Sequence, residues 1–146
     1  MASIGKGKNK FDTNMIGDIS EFAIITRFLE LGYVILTPFG GNQRCDLIVE
    51  DANEQFWRIQ CKTGRVNEGK TALIFNTSIS NVTGKNRQPR DYRGQCDYFA
   101  VYSAELHKCY LVPVDEVGTI SARLRLASIG HNHEKREILW AKDYEL

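Results

Sequence analysis

Four residues of this chain have types and spacing that could hydrolyse a phosphodiester. Asp46 opens an apolar run over residues 45–50, and Gln60, Cys61 and Lys62 close a second run over residues 56–62. In a strand, neighbouring side chains leave on opposite faces, so Gln60 and Lys62 share one face while Ile59 and Cys61 serve the other. A hairpin turn over residues 51–55 would fold the second run back along the first and bring Asp46 beside Gln60 or Lys62. Glu21, from a helix packed alongside, could complete the set. Asp46 would hold a hard divalent cation such as Mg²⁺ through oxygen, with the Gln60 amide oxygen, the Cys61 backbone carbonyl and Glu21 as further ligands. Such an ion lowers the pKa of a bound water and neutralises charge that builds on the phosphate. Lys62 would contact the scissile phosphate, orient the attacking water, or both, its pKa falling on partial desolvation. Spacing alone leaves plainer readings open. An aspartate at a strand start is commonly a turn acceptor, a strand-end lysine guards an edge, and Asp18 and Glu21 suit the start of a helix dipole.

These side chains need a helix and a set of strands to hold them. Thr13 or Asn14 can cap a helix that runs to about Leu31, where Gly32 ends it. Its apolar face is expected at Ile16, Ile19, Phe22, Ala23, Ile25, Phe28 and Leu29. Strands are expected over residues 33–36, 45–50, 56–62, 71–77, 97–102 and 109–113, with a helical turn within 115–120. A polar loop over residues 78–95 is long enough to be functional or disordered. Leu124, Leu126, Ile138, Leu139 and Trp140 must bury against something, another subunit included. The order is a helix, then hairpin-connected strands, then a mixed end, which is an α+β or mixed α/β class.

The bulk numbers narrow the function classes. A chain of 146 residues suggests one domain with one core: a flexible basic N-terminus over 1–12, then a single domain over 13–146. Its 42% apolar and 25% charged content is ordinary for a soluble protein. No apolar run approaches the roughly 18–20 residues of a membrane span. The lysine-rich start has no hydrophobic segment behind it, so it is no signal peptide, and the expected location is cytoplasmic. The cysteines at 45, 61, 96 and 109 form no CxxC pair and read as free thiols rather than a zinc site. A net charge of +1 excludes a polycation, yet Lys6, Lys8 and Lys10 cluster, as do Lys85, Arg87, Arg90 and Arg93. Such local basic patches can mark a phosphate-binding face.

Taken together the motifs resemble a known family. Gly17-Asp18-Ile19-Ser20-Glu21, Arg44-Cys45-Asp46 and Gln60-Cys61-Lys62 resemble the three motifs of the PD-(D/E)xK nucleases. The stretch 38–47, Gln60-Cys61-Lys62-Thr63-Gly64, Asp91-Tyr92-Arg93-Gly94, Tyr110-Leu111-Val112-Pro113-Val114 and the ending 140–146 are closer to one branch, the homing endonucleases encoded in group I introns of cyanobacterial tRNA genes. The resemblance covers roughly residues 13–146. It implies a restriction-endonuclease-like core, a central mixed β-sheet flanked by helices. It also implies cleavage of double-stranded DNA with Mg²⁺ (Mn²⁺ substituting) and a homo-oligomer, expected as a dimer of dimers. The wider superfamily has Asp or Glu where this chain has Gln60. The homing branch uses glutamine there, and the lost charge is expected to weaken metal binding or to shift its burden onto Asp46 and Glu21.

The oligomer also has a physical argument. Both strands of a duplex must be cut and the chain carries one candidate site, so a C2 dimer would supply two. The residues expected to contact DNA are Asn42, Gln43, Arg44, Lys85, Arg87, Arg90, Tyr92 and Arg93, with the turn over residues 67–70. The arginines suit guanine edges or phosphate, and Lys85 suits phosphate. Two other readings stand beside this one: a Holliday-junction resolvase or repair nuclease of the same fold, and a DNA-binding module without catalysis.

Overall fold

The helix ahead of the first motif, α1, spans Thr13–Glu30 in a computed structural model that describes residues 3–8, 11–41, 43–79, 91–130 and 137–146. Its cap is Asp12, one residue before the expected cap, whose side chain accepts from Met15 N at 2.8 Å. Gly32, at φ +86°, takes the left-handed conformation that lets the chain leave the helix. Ser20, Ile24 and Phe28 are the buried line, spaced four apart on one helix face. Ile19, Phe22 and Leu29, expected in the core, are exposed instead. The apolar pattern wraps most of the helix, so composition does not reveal which stripe the sheet takes.

The strands are β1 (Val34–Leu36), β2 (Leu47–Glu50), β3 (Phe56–Thr63), β4 (Arg65–Val66), β5 (Ala72–Asn76), β6 (Tyr98–Ser103), β7 (Lys108–Pro113) and β8 (Ser121–Arg125). Five form a mixed sheet in the order β1-β2-β3-β6-β7, with β3 and β6 parallel and the other pairs antiparallel. The parallel pair needs the long crossover between residues 63 and 98, whose first half supplies β4 and β5; β8, from beyond β7, joins them in a second sheet, β4-β5-β8. One face of the central sheet takes α1, through Ile24, Phe28, Leu47 and Ile59. The other takes the second sheet, through Leu73, Phe75, Phe99, Val101 and Leu124. The fold is therefore mixed α+β, a central mixed sheet with one long helix on one side. The cover on the opposite side is a sheet in which the expected strand β5 is flanked by β4 and β8, neither of which the sequence pattern indicates. The expected turn over 115–120 is a short 3-10 helix, Val114–Glu116. No described helix is long and apolar enough to cross a membrane.

Candidate active site

The β2–β3 hairpin sets the register: Leu47 lies opposite Ile59 and Glu50 opposite Phe56. One residue before β2, Asp46 N donates to Ile59 O at 2.9 Å, which carries the pairing onward and puts the carboxylate beside Gln60 and Cys61. Asp46 Oδ2 accepts from Gln60 Nε2 at 2.6 Å and from Cys61 N at 2.8 Å. Beyond Ile59 no β2 residue remains to pair with β3, so residues 60–63 leave an open strand edge. Along that edge runs a groove of about 400 Å³ whose walls include Asp18, Glu21, Asp46, Cys61 and Lys62.

Helix α1 is tied to this edge by a polar contact within an otherwise apolar interface. Ser20 Oγ, almost fully buried, donates to Ile16 O at 3.0 Å and lies 2.6 Å from Thr63 Oγ1. The next residue around the helix is Glu21, which this contact holds over the groove. The sequence signal for Ser20 was present: it sits in register with Ile24 and Phe28, at a position where a core helix face would carry a hydrophobe. Thr63 needed the partner strand to be known. Gly64 then ends β3 at a spot with no room for a side chain. A Cβ there would lie 2.8 Å from Leu73 Cδ1 and 2.9 Å from Val101 Cγ1, so the glycine after Lys62 is a packing requirement.

The electrostatics of the groove are unsettled in the physical sense. Burial raises the Asp46 carboxyl above its usual range, against the lowering pull of the Cys61 N–H and of Lys62. Glu21 is raised by burial first, then by the charges of Asp46 and Asp18. Burial lowers the Lys62 ammonium, with Asp46 acting the other way. Two carboxylates with raised proton affinity, one of them raised partly by the other's charge, are what a divalent cation relieves. Among the described residues no three acidic, imidazole or thiol groups converge as a ready-made cage. The donor set that fits a cation is therefore two carboxylates with main-chain oxygen, which suits a hard ion; Gln60, expected to offer its amide oxygen, instead turns its nitrogen to Asp46 and its oxygen toward Cys96 Sγ.

Lys62 makes no ion pair among the described residues. Its Nζ is 3.3 Å from Tyr92 Oη, 3.4 Å from Ser78 O and 4.6 Å from the centre of the Tyr92 ring. Tyr92, expected at a DNA surface, is instead buried, its ring edge-on to Phe99 at 5.4 Å. Burial pushes its phenol up to about 12, so it stays a neutral hydroxyl. Its link to Lys62 spans thirty residues of sequence and left no local signal.

The other expected DNA contacts divide by position. Arg44 and Arg93 are exposed, and Arg93 Nη2 donates to Val117 O at 3.2 Å. Gln43 is exposed and donates to Phe39 O at 2.8 Å. Asn67 is taken up by its own turn, accepting from Thr71 N and Ala72 N at 2.8 and 2.9 Å. Asn42, Lys85, Arg87 and Arg90 lie outside the described residues.

A family model described as PD-(D/E)XK endonuclease matches residues 11–146. Among solved structures the chain is similar to a bacterial homing endonuclease, I-Ssp6803I, with a TM-score of 0.68 and 23% identity, over 92% of this chain and 89% of that one. At that identity the likeness shows the fold. No curated protein matches the chain.

Proposed function

Since the chain belongs to the PD-(D/E)XK endonuclease family, we propose that it is a site-specific endonuclease of double-stranded DNA, a homing endonuclease in kind, hydrolysing phosphodiesters with Mg²⁺. The observation that carries this reading is the convergence of Glu21, Asp46 and Lys62 on one groove at an open strand edge. Asp46, Glu21 and the Cys61 carbonyl would hold the cation. When bound, it would supply Lewis acidity toward the phosphate and a more acidic water.

The chain's own residues account for the rest. Gln60 donates to Asp46 and offsets part of the cost of a buried carboxylate when no cation is present. A neutral amide there leaves two carboxylates rather than three, so cation binding relies on Glu21 and Asp46 together. Lys62 brings a positive charge that pairs with no carboxylate among the described residues, to be directed at a phosphate and to orient water at the phosphorus. One site per chain makes a C2 dimer the simplest unit that cuts both strands. A dimer of dimers is the assembly we propose.

The test is single-turnover cleavage of a randomised duplex library with Mg²⁺, with Mn²⁺ and with chelator. Wild type should cut with either metal and stop in chelator. Lys62→Ala and Asp46→Ala should bind DNA within a few-fold of wild type and lose cleavage. Persistent Mg²⁺-dependent nicking by clean Asp46→Ala protein refutes the assignment. Preference for four-way junctions over linear duplex would move the protein to the resolvase reading.

A further inference from the structure

The three-stranded sheet has a second face that none of the residues above accounts for. Its inner side is apolar, with Leu73 and Phe75 of β5 and Ala122 and Leu124 of β8 in the core. Alternation therefore points Ile74, Asn76, Ser121 and Arg123 outward. The register aligns them into rows. Arg65, Ile74 and Arg123 lie side by side across all three strands, and Asn76 lies opposite Ser121. Arg65, Asn76, Ser121 and Arg123 are exposed, and Ile74 is half-buried between the two arginines. Neither guanidinium has an ion-pair partner among the described residues.

The two ends of this face differ. At one end Arg125 is buried beneath the C-terminal segment, where Arg125 N donates to Leu139 O at 2.7 Å and Arg125 bridges to Trp140. At the other end Asn76 and Ser121 are exposed, and this is the end nearest the candidate active site. Asn76 is two residues from Ser78, whose carbonyl is 3.4 Å from Lys62 Nζ. Arg65 follows Lys62 by three residues. At about 3.3 Å per residue these offsets are roughly 7–10 Å along the chain. On B-DNA that is about two to three base pairs.

We propose that this outward face reads base edges of duplex DNA two to three base pairs from the scissile phosphate. Arg65 and Arg123 are the guanine-directed groups, Ile74 the apolar contact and the Asn76 amide nitrogen a further donor. The inference rests on the nuclease reading for its choice of DNA. Charge complementarity carries the choice further: two guanidiniums flank one apolar side chain on an antiparallel sheet, and the outward positions hold no carboxylate. Strands serve as groove readers in several DNA-binding folds, and arginine pairs with guanine in a two-bond geometry that lysine does not reproduce. Acids border this face rather than stand on it: Glu116 and Glu137 line a groove together with Ser121, Arg123 and Arg125, where Glu116 accepts from the Tyr144 hydroxyl, and Glu105 accepts from Val66 N at 3.0 Å.

The test uses two double variants of the full chain, Arg65→Gln with Arg123→Gln and Arg65→Lys with Arg123→Lys. All four residue changes are at exposed positions, and thermal melts check folding. Binding is measured on duplexes selected from a randomised library, across a range of salt, in Ca²⁺ so that cleavage does not interfere. The Gln pair should weaken selected-duplex binding about tenfold or more and lower the salt slope by about 1–2. The Lys pair should keep the salt slope and lose sequence preference at the positions flanking the cut. Unchanged affinity and preference in the Gln pair overturn the proposal. Full preference in the Lys pair overturns base reading. A shift in oligomer mass in either variant overturns it in favour of a contact between copies. If wild type cuts no duplex, the nuclease reading fails, while the binding arms still decide this one.

Discussion

Strand β3 carries two cations on the same face, four residues apart, and the protein treats them in opposite ways. Arg58 is locked. Its guanidinium donates to Asp97 at 2.8 and 3.1 Å and to Gly94 O at 3.0 Å, and Arg58 N donates to the same carboxylate at 2.7 Å. Among the described residues Lys62 has a long contact to a carbonyl and one to a phenol, both weaker by geometry, and the faces of two aromatic rings. The acids follow suit. Asp97 is held below the usual carboxylate range by Arg58, whereas Asp46 is raised by burial. One end of the strand spends its charges on architecture. The other keeps an ammonium and two carboxylates near one another without letting them neutralise, which is the condition a substrate phosphate and a cation can exploit.

Breaking the functional end should produce the largest effect on rate. Lys62→Ala is expected to slow single-turnover cleavage by about 10²–10⁴-fold, the range for a positioned proton-transfer or charge-stabilising group, with melting temperature nearly unchanged. Breaking the structural end should do the reverse. Asp97→Asn is expected to cost about 1–2 kcal/mol, discounted for the partial exposure of the pair and for salt screening, and to leave the cleavage step within a few-fold.

The pH dependence sharpens the contrast. Asp97 has a lowered folded pKa, so its stabilisation is complete above the usual carboxylate value, about 3.9 in the unfolded chain. It is lost as pH falls through the lower folded value. Asp46 has a raised folded pKa, so its ionised form opposes folding above that value, and acid relieves the penalty. In chelator, urea titrations from pH 7 to pH 3 should show the Asp97→Asn deficit shrinking toward zero. Asp46→Asn should be no less stable than wild type at pH 7. A deficit for Asp46→Asn at pH 7 would mean that its carboxylate also serves as architecture.

The legible parts of this molecule are those whose physics is local. Two apolar runs with a short polar turn between them specify a hairpin, and its register follows, so Asp46 and Gln60 meet as the sequence implies. The second sheet was not legible for equally physical reasons. Strand β4 is only two residues long, and β8 shows its alternation, Ala122 and Leu124 inward against Ser121 and Arg123 outward, in a stretch too short to separate from a polar tail. Its pairing with β5 joins residues nearly fifty apart, which no local pattern encodes. The same holds within the site. That Glu21, Asp46 and Lys62 would face one groove could be anticipated from type and spacing, whereas Ser20, Thr63 and the Lys62–Tyr92 contact depend on which surfaces pack.

That last contact gives the smallest and most discriminating prediction. Tyr92 meets Lys62 in two ways, through its hydroxyl at 3.3 Å and through its ring face at 4.6 Å from the centroid. Tyr92→Phe removes the first and keeps the second, along with the edge-on packing on Phe99. With the phenol pushed up to about 12, its oxygen accepts from the ammonium throughout the working range, so the variant removes one hydrogen bond to a charge and no charge. If that bond positions the ammonium, the single-turnover rate should fall about five- to tenfold, the effect of roughly 1–1.5 kcal/mol, while DNA affinity stays within twofold. A merely structural hydroxyl would lower the melting temperature and move rate and affinity together, or neither. An unchanged rate would show that the ring and the Ser78 carbonyl suffice to hold Lys62. The contrast along β3 would then rest on the absence of a carboxylate alone.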